Sequence, residues 1–192
     1  GHRTSYAYDT NDMVTSVTAP DGGRTTYAWV DWLTSEVIDP AGQTTTLIHN
    51  VRRNVAAIID PLGNRSTYTW YANRLREFRD ANDNRTTLTY SSLDNRTNML
   101  QSIRDPMGGI FSYLYDSNSR VRAFLDQNAN GSTLLWDGNG QRTAVVNAQA
   151  KRTSYLYTGS GSIKGTIDAL GNRTTWLFDA ADNWSVEINP LG

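Results

Sequence analysis

An all-β fold, a repeat protein built as a spiralling ribbon of antiparallel hairpins, follows from three features of the sequence. One motif recurs about every 20–21 residues along the chain, apolar residues within each copy stand two apart, and each copy carries two turn signals. No helical periodicity competes with this pattern.

The repeat is plainest in Asp60-Pro61-Leu62-Gly63-Asn64-Arg65-Ser66-Thr67-Tyr68-Thr69-Trp70 and its copy Asp168-Ala169-Leu170-Gly171-Asn172-Arg173-Thr174-Thr175-Trp176-Leu177-Phe178. With the leading Asp as position 0, copies start near 19, 39, 60, 80, 105, 126, 147 and 168, at spacings of 20, 21, 20, 25, 21, 21 and 21. Residues 1–192 thus read as one array of about nine repeats, cut mid-repeat at both ends.

Each column of the array has a physical reading. Position +3 is the turn glycine in Gly22, Gly42, Gly63, Gly108 and Gly171, and also in Gly1 and Gly192; Asp83, Ala129 and Ala150 replace it elsewhere. Such a position suits a residue with positive φ. Position +7 is always a hydroxyl, from Ser5 and Thr26 through Thr175. Position +8 is always large: Tyr6, Tyr27, Leu47, Tyr68, Leu88, Tyr113, Leu134, Tyr155 and Trp176. Position +10 is Tyr8, Trp29, Trp70, Tyr90, Tyr115, Trp136, Tyr157 or Phe178, with His49 as the exception. These two columns hold 14 of the 20 aromatic residues and share one strand face.

A second apolar pair follows in most copies, as in Val14/Val17, Val55/Ile58 and Val121/Phe124. A spacing of three breaks strand alternation, and a β-bulge or early turn restores it. Two turn signals then separate the strands: Asp-Pro-x-Gly-Asn, and Tyr-Asp-x-x-x-Arg as in Tyr115-Asp116-Ser117-Asn118-Ser119-Arg120. Two strands per copy give about 18, a ribbon of roughly 85 Å at about 4.8 Å per strand. Open sheets rarely exceed about 10 strands without curling, so the ribbon is expected to coil with half- to fully-buried rings inward. The lengthened stretch Ser91–Arg104 predicts a longer loop or corner.

Composition narrows the function. A net charge of −1 argues against nucleic-acid binding through a basic field, and no 18-residue apolar run provides for membrane insertion by a helix. No signal-peptide pattern opens the chain. The absence of cysteine excludes disulfides, Cys-based zinc sites and thiol nucleophiles. Two histidines leave little basis for a metal cluster or a Ser-His-Asp triad.

The Asp-Pro-x-Gly-Asn turn, the Tyr-x-Tyr-Asp segments (Tyr6-Ala7-Tyr8-Asp9, Tyr113-Leu114-Tyr115-Asp116) and the period resemble RHS/YD repeats. The resemblance covers essentially the whole chain. It implies a β-ribbon spiralled into a hollow shell. In bacterial Rhs toxins and insecticidal toxin complexes such a shell encloses a toxic C-terminal domain; in teneurins it belongs to an adhesion receptor. The family's self-cleavage motif, with Pro five residues before Asp-Pro-x-Gly-Leu, is not matched: Val55 precedes Asp60-Pro61-Leu62-Gly63, and Asn64 follows it. No catalytic residue is therefore carried over.

The expected function is structural: a shell segment of a secreted or cell-surface, bacterial RHS/YD-repeat protein that encapsulates or displays a C-terminal effector of its parent chain. The expected partners are the rest of that parent protein and its effector. A carbohydrate-binding or adhesive module at the cell surface is the alternative. No enzyme activity, metal or cofactor is expected.

Other polar patterns have structural readings. Asp126-Gln127-Asn128-Ala129-Asn130-Gly131, with Asp137, matches part of an EF-hand loop but coincides with a repeat turn. The Asp column is expected to cap its own turns, and the +5 arginines (Arg3, Arg24, Arg65, Arg85, Arg152, Arg173) to form an Arg–Asp ladder. Asn-x-Ser/Thr sequons start at Asn64, Asn84, Asn95, Asn130, Asn172 and Asn183, and they arise from the repeat itself. Among aromatics outside the columns, Trp32, Tyr71, Phe111 and Trp184 are the ligand candidates, glycans included, with Trp32 and Tyr71 at or beside a turn. Position +9 carries Leu114, Leu135, Leu156 and Leu177 in the second half, a stripe expected to be covered by another coil or a second copy. Self-association through cut strand edges is a further expectation.

Overall fold

The computed structural model describes residues 3–91, 98–179 and 181–191. Among them there are eighteen strands and no helix. Contacts divide the chain into Gly1–Leu88 and Thr89–Gly192. The first unit holds β1 (Ser5–Tyr8), β2 (Val14–Thr18), β3 (Arg24–Val30), β4 (Leu33–Ile38), β5 (Thr44–His49), β6 (Val55–Ile59), β7 (Arg65–Tyr71), β8 (Arg74–Arg79) and most of β9 (Arg85–Tyr90). The second holds β10 (Leu100–Arg104), β11 (Ile110–Tyr115), β12 (Val121–Leu125), β13 (Gly131–Trp136), β14 (Arg142–Val146), β15 (Arg152–Tyr157), β16 (Ile163–Ile167), β17 (Arg173–Phe178) and β18 (Trp184–Ile188). Within each unit every strand pairs antiparallel with the next, so the predicted all-β hairpin fold and its two strands per repeat are what the chain adopts.

Both turn signals make the same turn. In Asp60–Asn64 the Asp60 N–H donates to the Asn64 carbonyl at 3.0 Å and the Gly63 N–H to the Asp60 carbonyl at 2.9 Å. Asp116–Arg120 repeats this at 2.9 and 3.1 Å. The fourth residue takes positive φ, as in Gly63 (84°) and Ser119 (65°). This is a type I turn closed by a left-handed residue, a common hairpin connection. Two hairpins depart from it. Val30 pairs with Leu33 around Asp31 (φ 50°) and Trp32 (φ 66°), and Tyr71 with Arg74 around Ala72 (φ 46°) and Asn73 (φ 62°). Positive φ at both central residues defines a two-residue type I′ turn. These are the two copies with 20-residue spacing: one residue leaves the loop and the strands lengthen. Within the lengthened stretch the Ser91 N–H donates to the Met99 carbonyl at 2.8 Å. The inner part of the expected insertion, with Asn95, lies outside the described residues.

The expected bulge recurs where the apolar spacing of three required it. Ala7 faces Ser16 but Tyr8 faces Val14, so Thr15 is passed over. The same step occurs at Trp29, His49, Trp70, Tyr115, Trp136, Tyr157 and Phe178. The extra residue brings Val14 and Val17 to one face, opposite Tyr8 and Tyr6. Beyond the bulge, β2 pairs with β3 only from Ser16 to Thr18, so the Val14 carbonyl has no ladder partner there. The Trp29 indole N–H donates to it at 2.8 Å. The bond recurs at Trp70 to Val55 (2.7 Å) and Trp136 to Val121 (2.9 Å). The phenols of Tyr115 and Tyr157 do the same for Leu100 (2.8 Å) and Arg142 (2.9 Å). A +10 aromatic with a polar edge therefore satisfies an acceptor that the bulge strands.

Most rings of the two columns are half-buried, and among the described residues no large side chain is fully buried. Tyr6 and Tyr8 on β1, at 57% exposed, fall outside the half- to fully-buried range expected of the columns. The least exposed residues lie on the opposite face: Ala57 and Ala144 at 0% and Ser16 at 4%. Ala57 is flanked by Ile48 and Thr67, and Ala144 by Leu135 and Ser154, while the same column carries Glu36 in β4 and Glu77 in β8.

Candidate functional site

The first unit carries an exposed patch on its turn edge. The shortened β3–β4 loop places Trp32 in the turn itself, 60% exposed, and Tyr71 ends β7 at 67% exposed. They belong to different hairpins, and each has its own surroundings. The Arg76 guanidinium lies 5.6 Å from the Tyr71 ring centroid, within cation–π range. Asn54 donates to Asn73 at 3.0 Å and ties the two neighbouring turns. Trp32 borders a groove of about 560 Å³ between the β3–β4 and β5–β6 loops. Val30, Leu33, Ile48 and Val51 supply its apolar walls, and Asp31, His49, Asn50 and Arg53 its polar groups. His49, the one non-aromatic of the +10 column, sits here, and Ile48, Val51 and Arg53 were not singled out by sequence; their signal was the same exposed turn. An indole beside hydrogen-bonding groups can stack on a flat apolar ring face and hold polar substituents. Phe111 on β11 pairs with Ile103, and Trp184 on β18 with Phe178; both are part of the ladder and partly exposed.

The Asp column is occupied by turn capping. Asp60 accepts from the Leu62 and Asn64 amides at 2.9 and 2.8 Å, and the Asn64 side chain donates to its second oxygen at 2.8 Å. Asp80, Asp126 and Asp168 repeat the arrangement with Asn84, Asn130 and Asn172. The Asn side-chain amide, followed by the turn amides, holds these four carboxyls below the usual aspartate value. Asp126 of the EF-hand-like stretch is thus one more turn cap. Among the described residues no three His, Cys, Asp or Glu side chains gather to hold a metal.

Among the described residues the +5 arginines form no ladder of ion pairs with the turn aspartates. Arg85 pairs with Glu77 at 2.6 Å, while Arg152 and Arg173 donate to Ser154 and Thr175 at 3.0 and 3.1 Å. Positions +5 and +7 share a strand face, so the guanidinium reaches a hydroxyl two residues on before it reaches another turn. Glu77 joins Arg79 as well, and both arginines hold its carboxyl down, Arg79 most.

In the second unit Leu114 and Leu177 are 40% and 45% exposed, while Leu135 and Leu156 are half-buried against Ala144 and Gly165. The opposite face departs from its apolar pattern at several described positions, Thr166 facing Tyr155 and Glu187 facing Trp176 among them. The column occupied by Val14, Val55, Val121 and Ile163 carries Arg142 in β14, facing Trp136.

The chain has the fold of an RHS-repeat β-ribbon. The RHS Repeat family model matches residues 8–44, from the end of β1 to the start of β5. A crystal structure of TcdB2-TccC3-Cdc42 matches at TM-score 0.51 and 12% identity, over 97% of this chain and 14% of that one. A TcdB2-TccC3 crystal structure matches at 0.48 and 13%, over 99% and 18%. A TccC3-containing Tc holotoxin pore from Photorhabdus luminescens matches at 0.29 and 9%, over 98% and 18%. The chain thus spans less than a fifth of the length of these structures. No curated protein matches the sequence significantly. The resemblance to RHS/YD-repeat proteins read from the sequence holds in the fold, and over residues 8–44 in the family model. Among the described residues no helix is long and apolar enough to cross a membrane.

Proposed function

We propose that the chain is a structural wall segment of a secreted or cell-surface bacterial RHS-type shell, its aromatic face turned toward a C-terminal effector of the parent polypeptide. One observation carries this reading: the recurrent polar residues are engaged in architecture. The turn aspartates cap loops, and the +10 indoles and phenols satisfy the carbonyls freed by the bulges. Limited proteolysis of the parent polypeptide tests it. The effector portion, resistant while joined to the wall, becomes sensitive when produced without it. Equal sensitivity in both forms overturns the reading.

A second reading, a glycan-binding or adhesive module, rests on the groove beside Trp32. Glycan-array binding lost in Trp32→Ala, with the melting temperature unchanged, supports it; the absence of binding by the native chain removes it.

A further inference from the structure

Arg142 stands where eight other copies of the repeat carry an apolar or hydroxyl side chain. Its guanidinium carbon lies 4.6 Å from the Tyr155 ring centroid, within cation–π range. Its cross-strand partner is Trp136, and its own carbonyl is taken by the Tyr157 hydroxyl at 2.9 Å. Yet its Nε is buried without a hydrogen-bond partner, and no carboxylate pairs with it among the described residues. The neighbouring cation is already engaged: Arg120, 5.3 Å from the Trp136 ring, binds Asp116 at 2.8 Å and the Asp137 carbonyl at 3.1 Å.

A buried Nε without a partner weakens the fold, because that donor has lost its water and gained nothing. The repeat itself supplies a better-fitting residue, valine. A stacked guanidinium has a fixed plane and presents a planar fork suited to a carboxylate.

We propose that Arg142, cradled by Trp136 and Tyr155, is a contact for the carboxylate of an acidic polypeptide segment lying on the aromatic face. This rests on the wall reading, and it names the chemistry of what that face meets. The ligand is an Asp- or Glu-bearing chain because the unpaired group is cationic while its surroundings are aromatic.

The test uses the chain with Arg142→Val, the repeat's own residue, and Arg142→Lys. The probes are a fluorescent peptide of alternating Glu and Ala, its Lys counterpart, and sodium acetate. The expected result is saturable binding of the Glu peptide alone, weakened about tenfold or more in R142V and less in R142K. R142V is also expected to melt at least about 2–4 °C higher. Unchanged Glu-peptide binding in R142V, equal binding of the Lys peptide, or acetate binding as tightly per carboxylate as the peptide overturns the proposal. A lower melting temperature for R142V does so too, since it makes Arg142 a structural residue. Failure here with the effector still protected from protease leaves the wall reading standing; loss of that protection is its separate failure.

Discussion

Replacing Trp70 by Phe removes a hydrogen-bond donor while keeping a ring on the aromatic face. The lost bond is the 2.7 Å contact from the indole N–H to the Val55 carbonyl, which the bulge at Trp70 leaves outside the ladder. A bond of this kind contributes about 0.5–1.5 kcal/mol net, and the carbonyl left behind adds to the loss to the extent that water cannot reach it. Trp176→Phe is the matched control: it removes the same atoms, but its indole N–H donates only to the exposed Glu187 carboxylate at 3.1 Å. The difference between the two variants, about 1 kcal/mol, corresponds to a melting temperature about 2–4 °C lower for W70F than for W176F. Calorimetry reads that difference, and amide exchange localises it to β6 and β7. Equal melting temperatures, or faster exchange spread evenly over the chain, refute the reasoning.

Three further outcomes follow from the same geometry. Phe178 is the +10 aromatic with no polar edge, so Phe178→Tyr is expected to supply a donor for the Ile163 carbonyl and raise stability by about 0.5–1.5 kcal/mol, measured by urea denaturation. Gly63 has φ 84° with nothing within 4 Å of an added Cβ, so Gly63→Ala costs about 1 kcal/mol through backbone conformation alone; Ala129→Gly, at φ 61°, changes stability in the opposite direction in the same melts. The carboxyls of Asp60, Asp80, Asp126 and Asp168 are held below the ordinary aspartate value by the Asn side chain that donates to each. With the folded value depressed, their contribution is present above the unfolded value and is lost as pH falls through the folded one. Stability is therefore expected to decline below about pH 4, and more shallowly in the fourfold Asp→Asn variant, read from urea midpoints between about pH 2.5 and about pH 6, roughly the aspartate titration range.

The hairpins were legible because their causes are local. Alternation at +8 and +10 fixes a strand face, and the spacing of Val14 and Val17 requires an inserted residue, which is Thr15. The type I′ turns were encoded in the two 20-residue spacings, but Asp31-Trp32 and Ala72-Asn73 are not customary glycine turns, so their conformation stayed hidden. The indole-to-carbonyl bonds were not legible, since they depend on which acceptor the bulge leaves outside the ladder. The Arg column misled for a related reason: charge suggested Asp, whereas strand geometry put Ser154 and Thr175 closer to Arg152 and Arg173. Arg142 was visible all along as a cation in an apolar column, and only the structure showed its Nε to be unpaired.

A cryo-electron-microscopy map of the parent polypeptide tests the central claim most directly. The account predicts that residues 3–191 form continuous hairpins of a closed wall, with Trp29, Trp70, Trp136 and Tyr155 facing enclosed density. A map that places this stretch outside any wall, or turns those rings toward bulk solvent, contradicts it.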